Sequence, residues 1–389
     1  MTHMVDRILA SRLIKNKTSN FIILGARQVG KSTICHSLNP VFTVDLADET
    51  AFVAYAKEPG RLKREVEALS HPGTILVDEI QRLPRLLNMI QTMIDARAPH
   101  RFLLTGSSAR KLKRGGANLL PGRVILEYLD PLTVMELGDA FDLDRILQVG
   151  SLPGVYLHRE TGQDILGTYA TVYLREEIQA EALTREIGSY SRFLDVAAVA
   201  SGQWINYSKF ASDTEIPKET IRRFFSLLED TLVAFRIPAF RPKHPSRRVT
   251  QRDRYVLFDV GVRNALLGLH ERPIPSTERG NLFEQWVLLQ CLYWQRAHHR
   301  SWRISSYRSD TGLEVDIVID TGDGLRAIEC KSGAVVHPSD LRGLRSFADI
   351  AGRPLQHYVV YTGTTRQQWP DNVLVIPYKE FLTEELATW

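Results

Sequence analysis

The chain has 389 residues, more than one ordinary core accommodates, so roughly two to three domains are expected. With 44% hydrophobic and 24% charged residues, the composition is that of a globular protein and excludes disordered or fibrous classes. A net charge of +4 is too small to argue for a nucleic-acid partner, so any such case rests on where the charges fall. Cys35, Cys291 and Cys330 lie far apart without paired or metal-ligand spacing, which suits a reducing, cytoplasmic setting. No apolar run approaches the roughly 18 to 20 residues of a membrane span, and the N-terminus lacks the apolar core of a signal peptide. Neither an internal repeat nor a low-complexity segment is present.

Val5 to Leu13 has helical apolar spacing. Phe21 to Leu24 reads as a buried parallel strand that breaks at Gly25 and is followed by a helix opening at Gly30-Lys31-Ser32-Thr33. The run Gly25, Ala26, Arg27, Gln28, Val29, Gly30, Lys31, Ser32, Thr33 has the spacing G-x-x-x-x-G-K-S of a phosphate-binding loop. Its backbone N–H groups and the positive helix end would cradle phosphates, and Lys31 would reach the β- and γ-phosphates. The Ser32 hydroxyl would take one Mg²⁺ position. ATP and Mg²⁺ are therefore the expected cofactors.

Val41 to Asp45 reads as a second strand, residues 51 to 70 as a helix stopped at His71-Pro72-Gly73, and Thr74 to Glu79 as an apolar strand ending in two acids. Asp78 would hold Mg²⁺ through water, and Glu79 would orient and deprotonate the attacking water. A helix near Leu86 to Ala96 leads to a strand, Arg101 to Thr105, then Gly106-Ser107-Ser108. Thr105 or Ser107 is placed to sense the γ-phosphate. Val124 to Tyr128 is a fifth strand, after Leu120-Pro121-Gly122-Arg123. Strands alternating with helices predict a parallel α/β sheet with its site at the strands' carboxyl ends.

The stretches GARQVGKST, ILVDEIQ, LLTGSS and LPGRV resemble the AAA+ branch of P-loop ATPases. More narrowly, they resemble prokaryotic predicted ATPases that carry a C-terminal domain of unknown function. The resemblance implies that Arg123, the arginine of a G-R turn, is an arginine finger completing a neighbouring subunit's site, with Arg110 and Arg114 as alternatives. It also implies a homo-oligomer, in the manner of a ring. A fold-stabilising ion pair is the other reading of Arg123. Arg101, Arg110, Lys111, Lys113, Arg114 and Arg123 occur in a stretch without acids. The loop Ala109 to Gly116 could meet nucleic-acid phosphates or be merely solvated.

Residues 146 to 190 read as a mostly helical connector, in which Tyr173-Leu174-Arg175-Glu176-Glu177 resembles the same family. Phe193 to Ala200, Asn206 to Ser212 with Asn206 as its cap, and Glu215 to Glu229 read as three helices, followed by a strand, Val233 to Ile237. That order is the winged form of helix-turn-helix. Lys218, Thr220, Arg222 and Arg223 face outward on the third helix. Arg236 to Arg254 adds Arg236, Arg241, Lys243, Arg247, Arg248, Arg252 and Arg254 against one acid, Asp253. Lys218, Arg222, Arg223, Arg247 and Arg248 are the expected DNA contacts; packing on protein is the competing use of such a module.

Tyr255 to Asp259 reads as a strand, and Gly280 opens a long helix carrying Glu284. A strand through Glu314, Val315 and Asp316 precedes Ala327-Ile328-Glu329-Cys330-Lys331. An acid on one strand and Glu-x-Lys on its neighbour resemble PD-(D/E)XK nucleases. Alternation sends Glu329 and Lys331 to one face and Cys330 into the core. Glu284, Asp316 and Glu329 would bind metal, Lys331 would activate water, and Glu314 is a spare acid. The same fold also serves as a binding or structural module.

The expected fold is therefore α/β: an AAA+ P-loop NTPase domain with a parallel five-stranded sheet (1–145), a helical connector and winged helix (146–250), and a C-terminal restriction-endonuclease-like α/β domain (251–389). The expected function is an oligomeric Mg²⁺-dependent ATPase that remodels or translocates on duplex or branched DNA, with metal-dependent cleavage as a further activity. The alternative is an ATP-controlled regulatory or protein-interaction module that cuts nothing.

Overall fold

A computed structural model describes residues 5–107, 120–174, 187–242 and 249–389. Arg110, Arg114 and their basic loop, the Arg175-Glu176-Glu177 segment, Arg247 and Arg248 lie outside the described residues. The chain divides into two compact units, 1–132 with 227–233, and 133–226 with 234–389. Among the described residues no helix is long and apolar enough to cross a membrane.

The first unit is built on β1 (Asn20–Leu24), β2 (Phe42–Asp45), β3 (Thr74–Asp78), β4 (Arg101–Gly106) and β5 (Val124–Tyr128). They form one parallel sheet in the order β2-β3-β4-β1-β5. β1, β3 and β4 are nearly continuous runs of apolar residues and are covered on both faces, as all-parallel sheets must be. The stretch expected as one helix over 51 to 70 is two, Glu49–Lys57 and Gly60–Glu67. Pro59 separates them, since its ring cannot sit inside a continuous helix. Arg101, counted in the acid-free basic stretch 101–123, is buried. Its Nη1 donates to Leu13 O at 2.9 Å and Asn16 O at 3.2 Å, tying the helix Ile8–Lys15 to the sheet.

The second unit begins with short helices, among them Leu143–Val149 and Gly162–Thr168. Three longer ones follow: Ile187–Val199, Tyr207–Thr214 and Lys218–Asp230. Asn206 caps the middle one, accepting the N–H groups of Ser208 and Lys209 at 3.1 and 3.3 Å. Ile221, Phe224, Phe225, Leu227 and Leu228 are buried as their helical spacing predicts. Phe193, Phe210, Phe224 and Phe225 form an aromatic cluster extended by Tyr255 stacked on Phe225. β6 (Ala234–Ile237) and β7 (Arg254–Leu257) pair antiparallel, and Trp204 bridges to Arg254 as a third edge.

The helix Ser276–Ala297 then leads into β8 (Arg303–Arg308), β9 (Glu314–Asp320) and β10 (Leu325–Lys331). The helix Arg342–Ala351, β11 (Leu355–Tyr361), β12 (Gln367–Trp369) and β13 (Val373–Pro377) complete this sheet. The strand order is β12-β13-β11-β10-β9-β8. β8, β9 and β10 are antiparallel to one another, and β11 and β13 run parallel to β10.

Asp259 caps the helix Val260–Leu266 from a buried position, accepting Ser151 N–H at 2.7 Å and Val262 N–H at 3.1 Å. Burial pushes its carboxyl up to about 6. Below about pH 4 it is protonated in both folded and unfolded states and carries no penalty. Above about pH 6 it is ionised in both, and holding the buried carboxylate charged costs about 3 kcal/mol. Asp259→Asn is therefore expected to be most destabilising relative to wild type near pH 4. That disadvantage should shrink by about 3 kcal/mol toward pH 7 in urea melts. Parallel pH profiles for the two proteins would show that this carboxyl is not elevated.

Candidate functional site

The strand order places the end of β4 between the ends of β1 and β3, so three sequence-distant segments meet at one sheet edge. From β1 the chain enters the loop at Gly25, whose N–H bonds Gly106 O at 3.2 Å. Gln28 (φ 63°) and Gly30 (φ 96°) both adopt the left-handed conformation. This turns successive N–H groups inward as an anion nest. Lys31 begins the helix Lys31–His36, and its ammonium is buried. Nζ donates to Gly25 O at 3.0 Å and Ala26 O at 2.9 Å, so the loop's own carbonyls hold it over the nest. Arg7, which the sequence did not single out, braces the loop from outside. It donates to Val29 O at 2.7 Å and Asp130 O at 2.5 Å.

At the end of β3, Asp78 is buried and its carboxylate is bonded by the Thr105 hydroxyl of β4. Glu79, expected as the last strand residue, instead leaves the strand with φ 55°. A non-glycine residue pays for this conformation with strain that neighbours must hold in place. Here its N–H donates to Thr105 Oγ1 at 3.1 Å and Asp78 Oδ1 at 3.2 Å. The Glu79 carboxylate accepts from the Gln81 amide, which also donates to Ser107 Oγ at 2.9 Å. Gln81 lay inside the ILVDEIQ stretch without a role. Its two-residue spacing from Glu79 across the short 3₁₀ turn Ile80–Arg82 was the available signal. The buried Asp78 carboxylate and the partly exposed Ser32 hydroxyl are hard oxygen donors, so this end of the sheet fits Mg²⁺.

Arg123 lies at the surface, its Nε 2.6 Å from Asp95 Oδ1 and its Nη2 3.2 Å from Asp95 Oδ2. On the helix Lys218–Asp230, Lys218, Arg222 and Arg223 are exposed opposite the buried face. Arg222 also pairs with Glu219 at 3.4 Å and covers the Tyr207 ring.

In the second unit, antiparallel pairing of β9 and β10 runs out at Ile317 and Ile328. One residue beyond, the Asp316 carboxylate takes the Cys330 N–H at 2.8 Å in place of a ladder partner. Lys331 Nζ lies 2.8 Å from Glu329 Oε1, and Cys330 turns inward as alternation requires. Glu284, from the helix Ser276–Ala297, is paired with Arg254. Burial, with Glu284 and Glu329 adding repulsion, pushes Asp316 well above the usual carboxylate range. Burial likewise raises Glu329 to about 7 against the pull of Lys331. Three carboxylates thus converge with the donor chemistry of a hard-cation site, and each is turned to a protein partner. Among the described residues, no group of three His, Cys, Asp or Glu side chains stands in a geometry to hold an ion. Arg254, counted with the basic tail, is 3% exposed and belongs to this cluster. Glu314 accepts from Trp204 Nε1 at 2.9 Å and pairs with Arg308 at 3.1 Å.

Three family models match consecutive parts of the chain. They are an AAA domain (17–138), a domain of unknown function, DUF8612 (140–272), and a second, DUF4143 (279–381). Similar proteins include uncharacterized proteins of Mycobacterium tuberculosis and Mycobacterium bovis, each 25% identical over 382 residues, which cover 93% of this chain and 80% of the relative. Among solved structures, the replication initiator DnaA bound to AMPPCP and single-stranded DNA is 12% identical. It covers 57% of this chain and 86% of its own, with a TM-score of 0.29, too low to carry an argument. The glycine loop, the buried Asp78 and the domain match converge: residues 17–138 match an AAA domain and carry the loop of a P-loop ATPase, and two domains of unknown function match the stretches that follow.

Proposed function

We propose that this chain is a Mg²⁺-dependent ATPase that assembles with copies of itself and acts on DNA. The observation that carries the hydrolytic part is the convergence of Lys31, Asp78, Glu79 and Thr105 at one edge of the first sheet. Lys31 exchanges the carbonyls of Gly25 and Ala26 for phosphate oxygens. Ser32 and Asp78 would hold Mg²⁺, which would neutralise charge on the phosphates. Glu79 takes the proton of the attacking water, with Gln81 fixing its direction and Thr105 or Ser107 reporting the γ-phosphate. Arg123 completes a neighbouring copy's site by exchanging Asp95 for phosphate. The pair is solvent-exposed and easily broken, which suits a side chain that must change partners.

The proposed division is 1–145, 146–250 and 251–389; the family models break between 138 and 140 and between 272 and 279. Three helices followed by the β6–β7 hairpin support a winged helix, with Lys218, Arg222 and Arg223 on its outer face. Each phosphate contact contributes about 0.9 to the slope of log K against log salt. Changing all three to Ala is expected to weaken duplex DNA binding and to flatten that slope by roughly two to three. Unchanged affinity and slope would assign this face to protein packing.

A second reading is favoured by the C-terminal cluster. Glu284, Asp316, Glu329 and Lys331 are the groups of a metal-dependent nuclease, yet Arg254 and Lys331 already neutralise two of the acids. On that reading the last domain binds and regulates without cutting.

A further inference from the structure

Arg254 opens β7, yet its side chain ends among the acids of the C-terminal sheet, and every guanidinium nitrogen finds an acceptor there or close by. Nε donates to Gly202 O at 2.7 Å, and Nη1 donates to Ser306 Oγ at 3.0 Å and Asp316 O at 3.2 Å. Nη2 donates to the Glu284 carboxylate. On the opposite side of the cluster, Lys331 Nζ lies 2.8 Å from Glu329 Oε1 and 3.8 Å from Asp340 Oδ1. Three carboxylates therefore face two fixed cations before any ion arrives. Repulsion between like charges is strong where water is excluded. A divalent ion bound by Glu284, Asp316 and Glu329 would have the Arg254 guanidinium as a close, poorly screened neighbour.

We propose that Arg254 is the resident cation of this cluster, and that a divalent metal ion binds there only after the guanidinium has left Glu284. The inference rests on reading Glu284, Asp316 and Glu329 as a potential cation site. The way Arg254 is mounted gives it a means of leaving. Phe240 and Thr250, which lie between β6 and β7, are bonded to the outer strand of the sheet. Phe240 N donates to Ser306 O at 2.8 Å and Thr250 N to Arg308 O at 3.0 Å. Ser306 serves both attachments, since its carbonyl holds Phe240 and its hydroxyl receives Arg254. A shift of Ser306 where Phe240 is attached loosens the Arg254 mount in the same movement, and the acids then open to an ion.

The test is Mn²⁺ binding by the full-length, nucleotide-free protein, read from the electron paramagnetic resonance signal of free Mn²⁺. A Ser32→Ala background removes the contribution of the phosphate loop. Arg254→Met and Arg254→Gln are each compared with their parent, with and without Asp316→Asn. Both substitutions are expected to give one Mn²⁺ per chain bound on the order of tenfold more tightly than in the parent, and Asp316→Asn should abolish it. Arg254→Gln removes the charge but keeps a hydrogen-bond donor toward Glu284, so it carries the test if Arg254→Met does not fold. If the parent already binds Mn²⁺ as tightly as the variants, and Asp316→Asn removes it, Arg254 excludes nothing and the proposal falls alone. If no variant binds Mn²⁺, the cation-site reading falls with it.

Discussion

Glu79→Gln is expected to bind ATP with near-native affinity while turning it over roughly 10²- to 10³-fold more slowly, the scale of a positioned general base. The substitution keeps the side chain's length and shape. The Gln81 amide that donates to the Glu79 carboxylate can donate equally to the amide oxygen of the replacement. The left-handed backbone at position 79 is held by its N–H to Thr105 and Asp78, which the substitution does not touch. What is lost is the ability to accept a proton. Binding is measured by titration with a fluorescent ATP analogue, and turnover by phosphate release. Unchanged turnover would place the base elsewhere. Loss of binding together with turnover would mean that position 79 shapes the nucleotide pocket instead of the chemistry.

The parts of the candidate nucleotide site were legible because each is contiguous in sequence. The loop spells itself between Gly25 and Thr33, and the apolar strand 74 to 78 announces its acids by ending in them. Their meeting needed only the rule that parallel strands present their carboxyl ends together. Arg254 shows where such reading stops. In sequence it is one of a run of arginines, and counting charges puts it on a surface that meets phosphates. In the structure its neighbours are Gly202, Glu284, Ser306 and Asp316, at separations of 30 to 62 residues that no local pattern encodes. Arg101 misled in the same way and for the same reason, since its acceptors are 85 and 88 residues upstream. β12 went unread because Gln367, Gln368 and Trp369 form an edge strand that is largely exposed, and so lacks apolar alternation. Gln81 is the intermediate case, close in sequence to Glu79 but given meaning only by Ser107 on another strand.

Gly25→Ala is expected to lower ATP affinity by at least tenfold and to cost about 1–3 kcal/mol of stability, the usual scale of overpacking. The phosphate-loop signature suggests that each glycine is there to turn the chain. For Gly30 that holds, with φ at 96°, but Gly25 is not among the residues with positive φ. Its requirement is space. A Cβ at this position would stand 2.2 Å from Leu129 O and 3.0 Å from Val29 Cγ2. Leu129 cannot easily retreat, because its N–H is bonded to Leu24 O at 2.8 Å, continuing the pairing of β5 with β1. The loop must then lift, and lifting it pulls Gly25 N from Gly106 O and disturbs the carbonyls that hold Lys31. A single methyl group far smaller than the ligand thus acts on phosphate binding through the sheet. Equilibrium ATP binding and thermal melting of Gly25→Ala decide the matter. Native affinity would mean that the end of β5 yields and that phosphate binding does not require glycine at this position.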